Sequence, residues 1–291
     1  MKQIAIVSGK GGTGKTVLTA SFAALGGENV VVDCDVDASN LHLLLHPHVK
    51  ESRSFSGRRV AVINQKKCIF CGSCKMYCRF GAVNRKSFSG NFEFDPVACE
   101  GCGVCARVCP ERAITMEERL SGEWFVSETK YGSFVHAKLG IAEENSGKLV
   151  SQIRRTACEI ADSEKSDLVI IDGPPGVGCP VISSLGGVNL AVAVTEPTLS
   201  GLHDLERILD LTDHFRIPTN AIINKYDINE KTSNHIEARC QERGVPVIGR
   251  VPFSTRVMES VSKGVPVVEY DGSDVSEEIE TIWSKVRASL S

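Results

Sequence analysis

An α/β fold, with a mostly parallel sheet flanked by helices and a small α+β insertion, is what this chain predicts. Three observations carry that reading. Apolar runs of strand length recur at Gln3–Val7, Asn29–Val32, Asp167–Asp172, Asn189–Thr195 and Thr219–Asn224. Helical patterns at 17–25, 38–45, 147–162 and 275–290 fall between or after them, the alternation that builds parallel sheets. A glycine-rich loop follows the first strand at once, and two matched cysteine runs lie in a long gap after the second.

Taking the elements in order, Gln3–Val7 is a short buried strand followed by Gly9-Lys10-Gly11-Gly12-Thr13-Gly14-Lys15-Thr16. The apolar helical run Val17–Leu25 comes next. Strand, G-x4-G-K-T, helix is a phosphate-binding loop in its structural context. Glycines let the backbone N–H groups of Gly11, Gly12, Thr13 and Gly14 curl around phosphate oxygens, and the helix N-terminus adds partial positive charge. Lys15 is expected to neutralise the β/γ phosphates, and the Thr16 hydroxyl to ligate Mg2+.

Lys10 makes this loop resemble the deviant Walker A of the ParA/MinD family of ATPases, to which the nitrogenase iron protein also belongs. The resemblance implies a P-loop ATPase that binds ATP with Mg2+ and forms an ATP-dependent homodimer, with Lys10 reaching the partner's nucleotide. Asn29–Val32 ends in Asp33-Cys34-Asp35-Val36-Asp37, followed by the amphipathic Ala38–Leu45, and is similar to switch I. There the resemblance gives Asp35 the task of orienting the attacking water. Asp167–Asp172 runs into Asp172-Gly173-Pro174-Pro175-Gly176, which resembles the Walker B aspartate and switch II. Carboxylates at strand ends beside the loop suit water positioning and support of Mg2+. Thr219–Asn224 closes on Asn224-Lys225-Tyr226-Asp227, where the family uses the asparagine to read the base. Val251-Pro252, with Gly264-Val265-Pro266-Val267, resembles the last turn on the adenine side and places Pro252 there.

Asp33 and Asp172 are expected to end neighbouring parallel strands, yet 139 positions (172 − 33) separate them. A single crossover needs only a few tens of residues. Cys68, Cys71, Cys74 and Cys78 lie inside this gap, spaced C-x2-C-x2-C-x3-C. Cys99, Cys102, Cys105 and Cys109 repeat the spacing, with Pro110 after the last. In two-cluster ferredoxins such runs hold [4Fe–4S] cubes and exchange their fourth ligand. That assigns Cys68, Cys71, Cys74 and Cys109 to one cluster, and Cys99, Cys102, Cys105 and Cys78 to the other. Paired structural zinc sites are the competing reading of C-x2-C spacing. Arg79, not proline, follows Cys78, a departure from the ferredoxin pattern. The expected division is an ATPase domain over 1–57 and 120–291, interrupted by a bacterial-ferredoxin-like insertion over 58–119. Polar stretches at 52–59 and 117–122 are read as its linkers. A hairpin over Glu123–Val126 and Ser133–Leu139 leads back to the sheet.

Net charge is −3 and the sequence pI about 6.2, so no global field recruits nucleic acid or acidic lipid. Eight of twelve cysteines explained as metal ligands point to a reducing compartment, and no signal peptide or apolar span is visible. A cytoplasmic protein is expected. The final segment, Val275–Leu290, is read as a helix closing the core, since it has too few basic residues for stable membrane binding. Cys179, seven positions after Asp172, is read as a small buried residue of switch II or as a cluster ligand near the dimer two-fold. Cys34, Cys158 and Cys240 are read as ordinary thiols. His42, His46 and His48 lack metal spacing. There is no C-x-x-C near the C-terminus of the kind found in related cluster-carrier ATPases, and no glutaminase-like segment.

The expected function is coupling of ATP turnover to electron transfer through two [4Fe–4S] clusters, toward an unidentified redox or metal-cofactor partner protein. Assistance in iron–sulfur or metal-cofactor assembly is the alternative. A positioning ATPase with a redox-sensing insertion is the second alternative.

Overall fold

The computed structural model describes residues 1–291 except 87–89, 141–145, 271, 273 and 291. The chain begins β1 (Lys2–Ser8), α1 (Lys15–Gly26), β2 (Val30–Asp33) and α2 (His42–Leu45). The middle contains β3 (His48–Ile63), α3 (Ser73–Tyr77), β4 (Val83–Arg85), β5 (Phe92–Phe94), α4 (Val104–Val108), β6 (Ile114–Thr129) and β7 (Gly132–Leu139). Then follow α5 (Ser146–Glu164), β8 (Leu168–Pro175), α6 (Cys179–Leu185), β9 (Leu190–Thr195), α7 (Leu199–His214) and β10 (Thr219–Asn224). The chain closes with α8 (Glu230–Glu242), β11 (Val247–Val251), α9 (Thr255–Ser262), α10 (Val267–Tyr270) and α11 (Asp274–Ser289).

Two compact units result: one is Met1–Ser52, Trp124–Lys138 and Ser146–Ser291, the other Arg53–Glu123 with a short piece from Leu139. The strand order is β11-β10-β9-β1-β8-β2-β7-β6-β3, and the pairs from β11 to β7 are parallel. Parallel strands covered by helices lose all contact with water, which is why β1, β8 and β9 are near-continuous runs of Ile, Val, Leu and Ala. β1 lies between β8 and β9, and Asp33 stands in register with Asp172 across β2 and β8. The loop after β1 therefore sits at the carboxyl edge of the sheet, between the two aspartates' strands and β9.

Core packing follows the same pattern. Ile4, Ile6, Phe22, Ile170 and Val192 pack with Ile279, Ile282, Trp283 and Val286 of α11 in one apolar cluster. The last helix thus buries its apolar face, and Trp283 stacks on Phe22 with ring centroids 5.1 Å apart. A second cluster joins Ala20, Ala23 and Val31 to Leu41, Leu44, Leu45 and Phe134. No helix among the described residues is long and apolar enough to cross a membrane.

Three expectations are corrected. The amphipathic stretch Ala38–Leu45 forms only the single turn α2, because Leu41, Leu44 and Leu45 are held by tertiary packing while Asp37–Asn40 stays non-helical. The polar stretches at 52–59 and 117–122 are not linkers but parts of the 16-residue strands β3 and β6. Their polarity reflects exposed faces: most of β3 through Phe55 is open to solvent, and a strand with little buried surface needs no apolar alternation. The hairpin is present but longer than read, since β6 reaches back to Ile114 and joins β7 across Lys130-Tyr131.

Candidate functional site

The loop between β1 and α1 is built for close backbone approach. Gly14 caps α1 with φ 92°, a left-handed value, and a Cβ there would lie 2.3 Å from the Asn224 Nδ2 atom. Only glycine fits both conditions. Asn224 Nδ2 in turn donates to the Thr13 carbonyl at 2.8 Å, so the end of β10 holds the loop directly. Lys15 is buried and donates to Ser8 Oγ at 2.9 Å, while Ser8 Oγ donates to the Lys10 carbonyl at 2.6 Å. Desolvation lowers the Lys15 pKa, opposed by the charges of Asp172, Asp35 and Asp33.

Behind the loop, Asp172 is a fully buried acceptor for two hydroxyls of α1. Thr16 Oγ1 donates to its Oδ2 at 2.8 Å, and Thr19 Oγ1 to its Oδ1 at 3.0 Å. Asp33 is equally buried; it accepts from Ser39 Oγ at 2.6 Å and from the Asp35 backbone at 3.0 Å. Burial raises both carboxyls, and the Asp172 charge raises Asp33 further. Asp35 is raised by partial burial against the opposing pull of Lys15. Charges this close are costly in a protein interior unless a cation joins them.

A cavity of about 720 Å3 opens over this floor, lined by Gly11, Gly12, Gly14, Lys15, Thr16 and Asp35 of the expected site, with Pro174 and Pro175. The fold thus brings those six together around one space. Lys10, Thr13, Asp172, Asn224 and Pro252 are not among its lining residues. Pro252 lies just after β11, where the neighbouring Phe253 N–H donates to Asp227 at 2.6 Å. Lys10 points to Glu196 at 3.2 Å, and Lys225 reaches the same carboxylate at 2.5 Å. Sequence reasoning missed Ser8, Thr19 and Glu196. Thr19 was legible in principle, one helical turn after Lys15 on the Asp172 side, but nothing in the sequence links Glu196 to Lys10.

The second unit presents the cysteines on a doubled frame. Gly72 (φ 76°) starts α3 and Gly103 (φ 73°) starts α4, while Cys78 and Cys109 end those helices with nearly equal dihedrals. Left-handed Phe70 and Gly81 recur as Gly101 and Arg112 at the matching places of the second run. Cys74, Cys99 and Cys105 are buried in this unit's core with Ala61, Val83, Phe92 and Ile114. A narrow apolar cavity is lined by Cys68, Cys71, Cys74 and Cys109, with Ile63, Phe92 and Ile114 around it. Among the described residues no three Cys, His, Asp or Glu side chains converge on a single point. None of the twelve cysteines forms a disulfide.

The remaining candidates resolve simply. Cys179 is exposed, which corrects its reading as a buried packing residue: it is the first residue of α6, directly after the extended Gly178. Cys34 and Cys240 are buried, and Cys158 is half-buried. His46 is bonded to the Gly264 carbonyl at 2.7 Å, and burial pushes the stacked His136 down to about 4.

Fold and loop together define a P-loop nucleotide-binding protein of the α/β class. Residues 4–267 match the CobQ/CobB/MinD/ParA nucleotide binding domain, and the chain belongs to that family. It is 34% identical over 289 residues to an uncharacterised protein of Methanocaldococcus jannaschii, spanning 98% of this chain and 96% of that one. An iron-sulfur cluster carrier protein of Pyrococcus furiosus is 24% identical, with 98% of this chain and 85% of that protein covered. The solved structure of the septum site-determining protein MinD with Mg-ADP from Pyrococcus horikoshii aligns with a TM-score of 0.59 at 17% identity, covering 98% and 95% of the two chains. The expected α/β P-loop architecture with a mostly parallel sheet is therefore present, and the protein is an ATP-binding ATPase of the MinD/ParA type.

Proposed function

We propose that this ATPase is an ATP-dependent homodimer whose turnover is coupled to electron transfer through two [4Fe–4S] clusters held by residues 68–109. The observation that carries the reading is the doubled cysteine frame, with Cys68, Cys71, Cys74 and the crossed-over Cys109 lining one cavity. A four-iron cube takes one thiolate at each corner, so its ligands surround a volume rather than meet at a point. Burial raises the Cys74 thiol and pushes Cys105 up to about 11, a cost that ligation by iron offsets because the metal replaces the proton. Cys99, Cys102, Cys105 and Cys78 would hold the second cluster. When bound, the clusters would supply one-electron chemistry.

The chain's own residues then divide the nucleotide work. Gly11, Gly12, Thr13 and Gly14 offer backbone N–H groups to phosphate oxygens, and Lys15 leaves Ser8 to neutralise the terminal phosphates. Thr16 and Asp172, now bonded to each other, are the residues that would hold Mg2+, which would neutralise charge on the phosphates. Asp35 orients the attacking water, Lys10 serves the partner's nucleotide, and Asn224 and Pro252 border the base. Delivery of an iron–sulfur cluster is a second reading, favoured by the name of the Pyrococcus furiosus relative. Burial of Cys74, Cys99 and Cys105 supports retention over release.

Anaerobic purification followed by iron analysis tests the proposal, with about eight irons per chain expected. Zinc in place of iron, or four irons at full occupancy, would overturn it. Unchanged cluster potentials in apo, ADP and ATP-analogue states would remove the coupling and leave the ATPase intact.

A further inference from the structure

The two cysteine runs share spacing and backbone, so each serves as a control for the other, and the first carries a surface that the second lacks. Ile69, Phe70, Met76, Tyr77 and Phe80 are exposed, from 46% for Phe70 to 74% for Met76. The matching positions of the second run are Glu100, Gly101, Arg107, Val108 and Glu111. Charge differs as well. Lys66, Lys67, Lys75 and Arg79 accompany the first run, with no acidic residue from Gln65 to Phe80. Their counterparts are Val97, Ala98, Ala106 and Pro110. Holding four cysteines in this geometry therefore requires neither the apolar nor the basic side chains.

Phe70 sharpens the contrast. Its φ of 58° is left-handed and its side chain stays exposed, whereas Gly101 takes the equivalent conformation with φ 65°. Glycine is required there, because a Cβ would lie 2.3 Å from the Arg59 carbonyl oxygen. A non-glycine residue in this region costs roughly 1–2 kcal/mol, and at Phe70 no deep burial offsets it. Five exposed large apolar side chains and four cations within fifteen residues are what an interaction surface requires.

We propose that the face formed by Lys66–Phe80 is the docking surface for a small acidic protein that carries a one-electron centre. The proposal rests on the cluster reading above, since Cys68, Cys71 and Cys74 belong to this same segment and Cys71 is itself exposed. The lysines and Arg79 select an acidic partner and steer its approach, and Met76, Tyr77 and Phe80 form the desolvated centre of the contact. Glu111, which lines the cavity beside Cys71, bounds the basic face on the side of the second run.

The test is calorimetric titration of the anaerobic full-length protein with a purified acidic flavodoxin at low and high salt, with basic cytochrome c as the charge control. Wild type binds flavodoxin, more weakly as salt screens the face. The K66Q/K67Q/K75Q/R79Q variant loses about tenfold or more in affinity at low salt. M76S/Y77S loses about tenfold at either salt. R107Q, on the exposed side of the second run, stays within about twofold of wild type. No flavodoxin binding, equal affinity across all variants, or preference for cytochrome c overturns the docking proposal. So does sedimentation showing that the same substitutions weaken ATP-dependent dimerisation instead, which would make a second copy the occupant. Iron analysis of the same samples separates the two ideas: absent iron sinks the cluster reading, while the binding series still decides the surface.

Discussion

Glu196→Gln separates two consequences of one carboxylate. Its Oε2 lies 3.2 Å from Lys10 Nζ and its Oε1 2.5 Å from Lys225 Nζ. Burial pushes the carboxyl up, but the bonds and charges of Lys225 and Lys10 outweigh it and hold the pKa below 4.5. A depressed carboxylate contributes stability that is present above its unfolded pKa and is lost as pH falls through its folded one. The side chains are 15% exposed for Glu196 and 30% and 32% for Lys10 and Lys225, so the contacts are semi-exposed. Each then contributes about 0.5–1 kcal/mol after solvent screening. Gln keeps the shape and loses the charge, so the variant should be about 1 kcal/mol less stable at neutral pH and equal to wild type in strong acid. Dimerisation should move the other way. On the proposed role of Lys10 at a partner's nucleotide, it would have to leave Glu196, and freeing it in both protomers would favour the dimer by about 1–2 kcal/mol, roughly five- to thirtyfold in Kd. Urea unfolding against pH reads the first effect, and sedimentation velocity with a non-hydrolysable ATP analogue reads the second. If the variant dimerises more weakly in step with its lost stability, Glu196 does not restrain Lys10 and the argument fails.

Other consequences are as direct. Asp35→Asn should bind ATP and dimerise yet hydrolyse it at least about a hundredfold more slowly, as measured by phosphate release; a rate near wild type would remove Asp35 from the chemistry. Trp283→Ala opens a cavity against Phe22 and should cost about 3–5 kcal/mol in denaturant unfolding. A loss under about 1 kcal/mol would mean that α11 does not close this core. Cys34 is fully buried and its thiol is raised well above 9.0, whereas Cys179 is exposed, so iodoacetamide on the native protein should label Cys179 and spare Cys34. Labelling of Cys34 at a comparable rate would show that β2 opens readily.

What the chain determined by itself was whatever rests on local chemistry. Apolar runs such as Gln3–Val7 and Asp167–Asp172 can be buried on both faces only in a covered parallel sheet, and they form β1 and β8. The glycines and Lys15 of the first loop carried their meaning in their spacing, and the cysteine runs likewise. The strands ending in Asp33 and Asp172 were expected to be parallel neighbours, and they are; their residue-for-residue register came only from the structure. Tertiary structure decided the rest, because it depends on partners far apart in the chain. Ala38–Leu45 carries an amphipathic pattern but makes a single turn, since its leucines answer to Ala20, Val31 and Phe134 rather than to helical period. Ser52–Arg59 is polar enough to read as a linker and is strand, because a strand needs buried residues only on faces that are covered. Glu196 and Lys10 meet across more than half the chain, joined only because β1 and β9 lie side by side. Cys109 shares a cavity with Cys68 by the same logic: spacing marks the two runs as a matched pair, but only the packing of α3 against α4 brings them together.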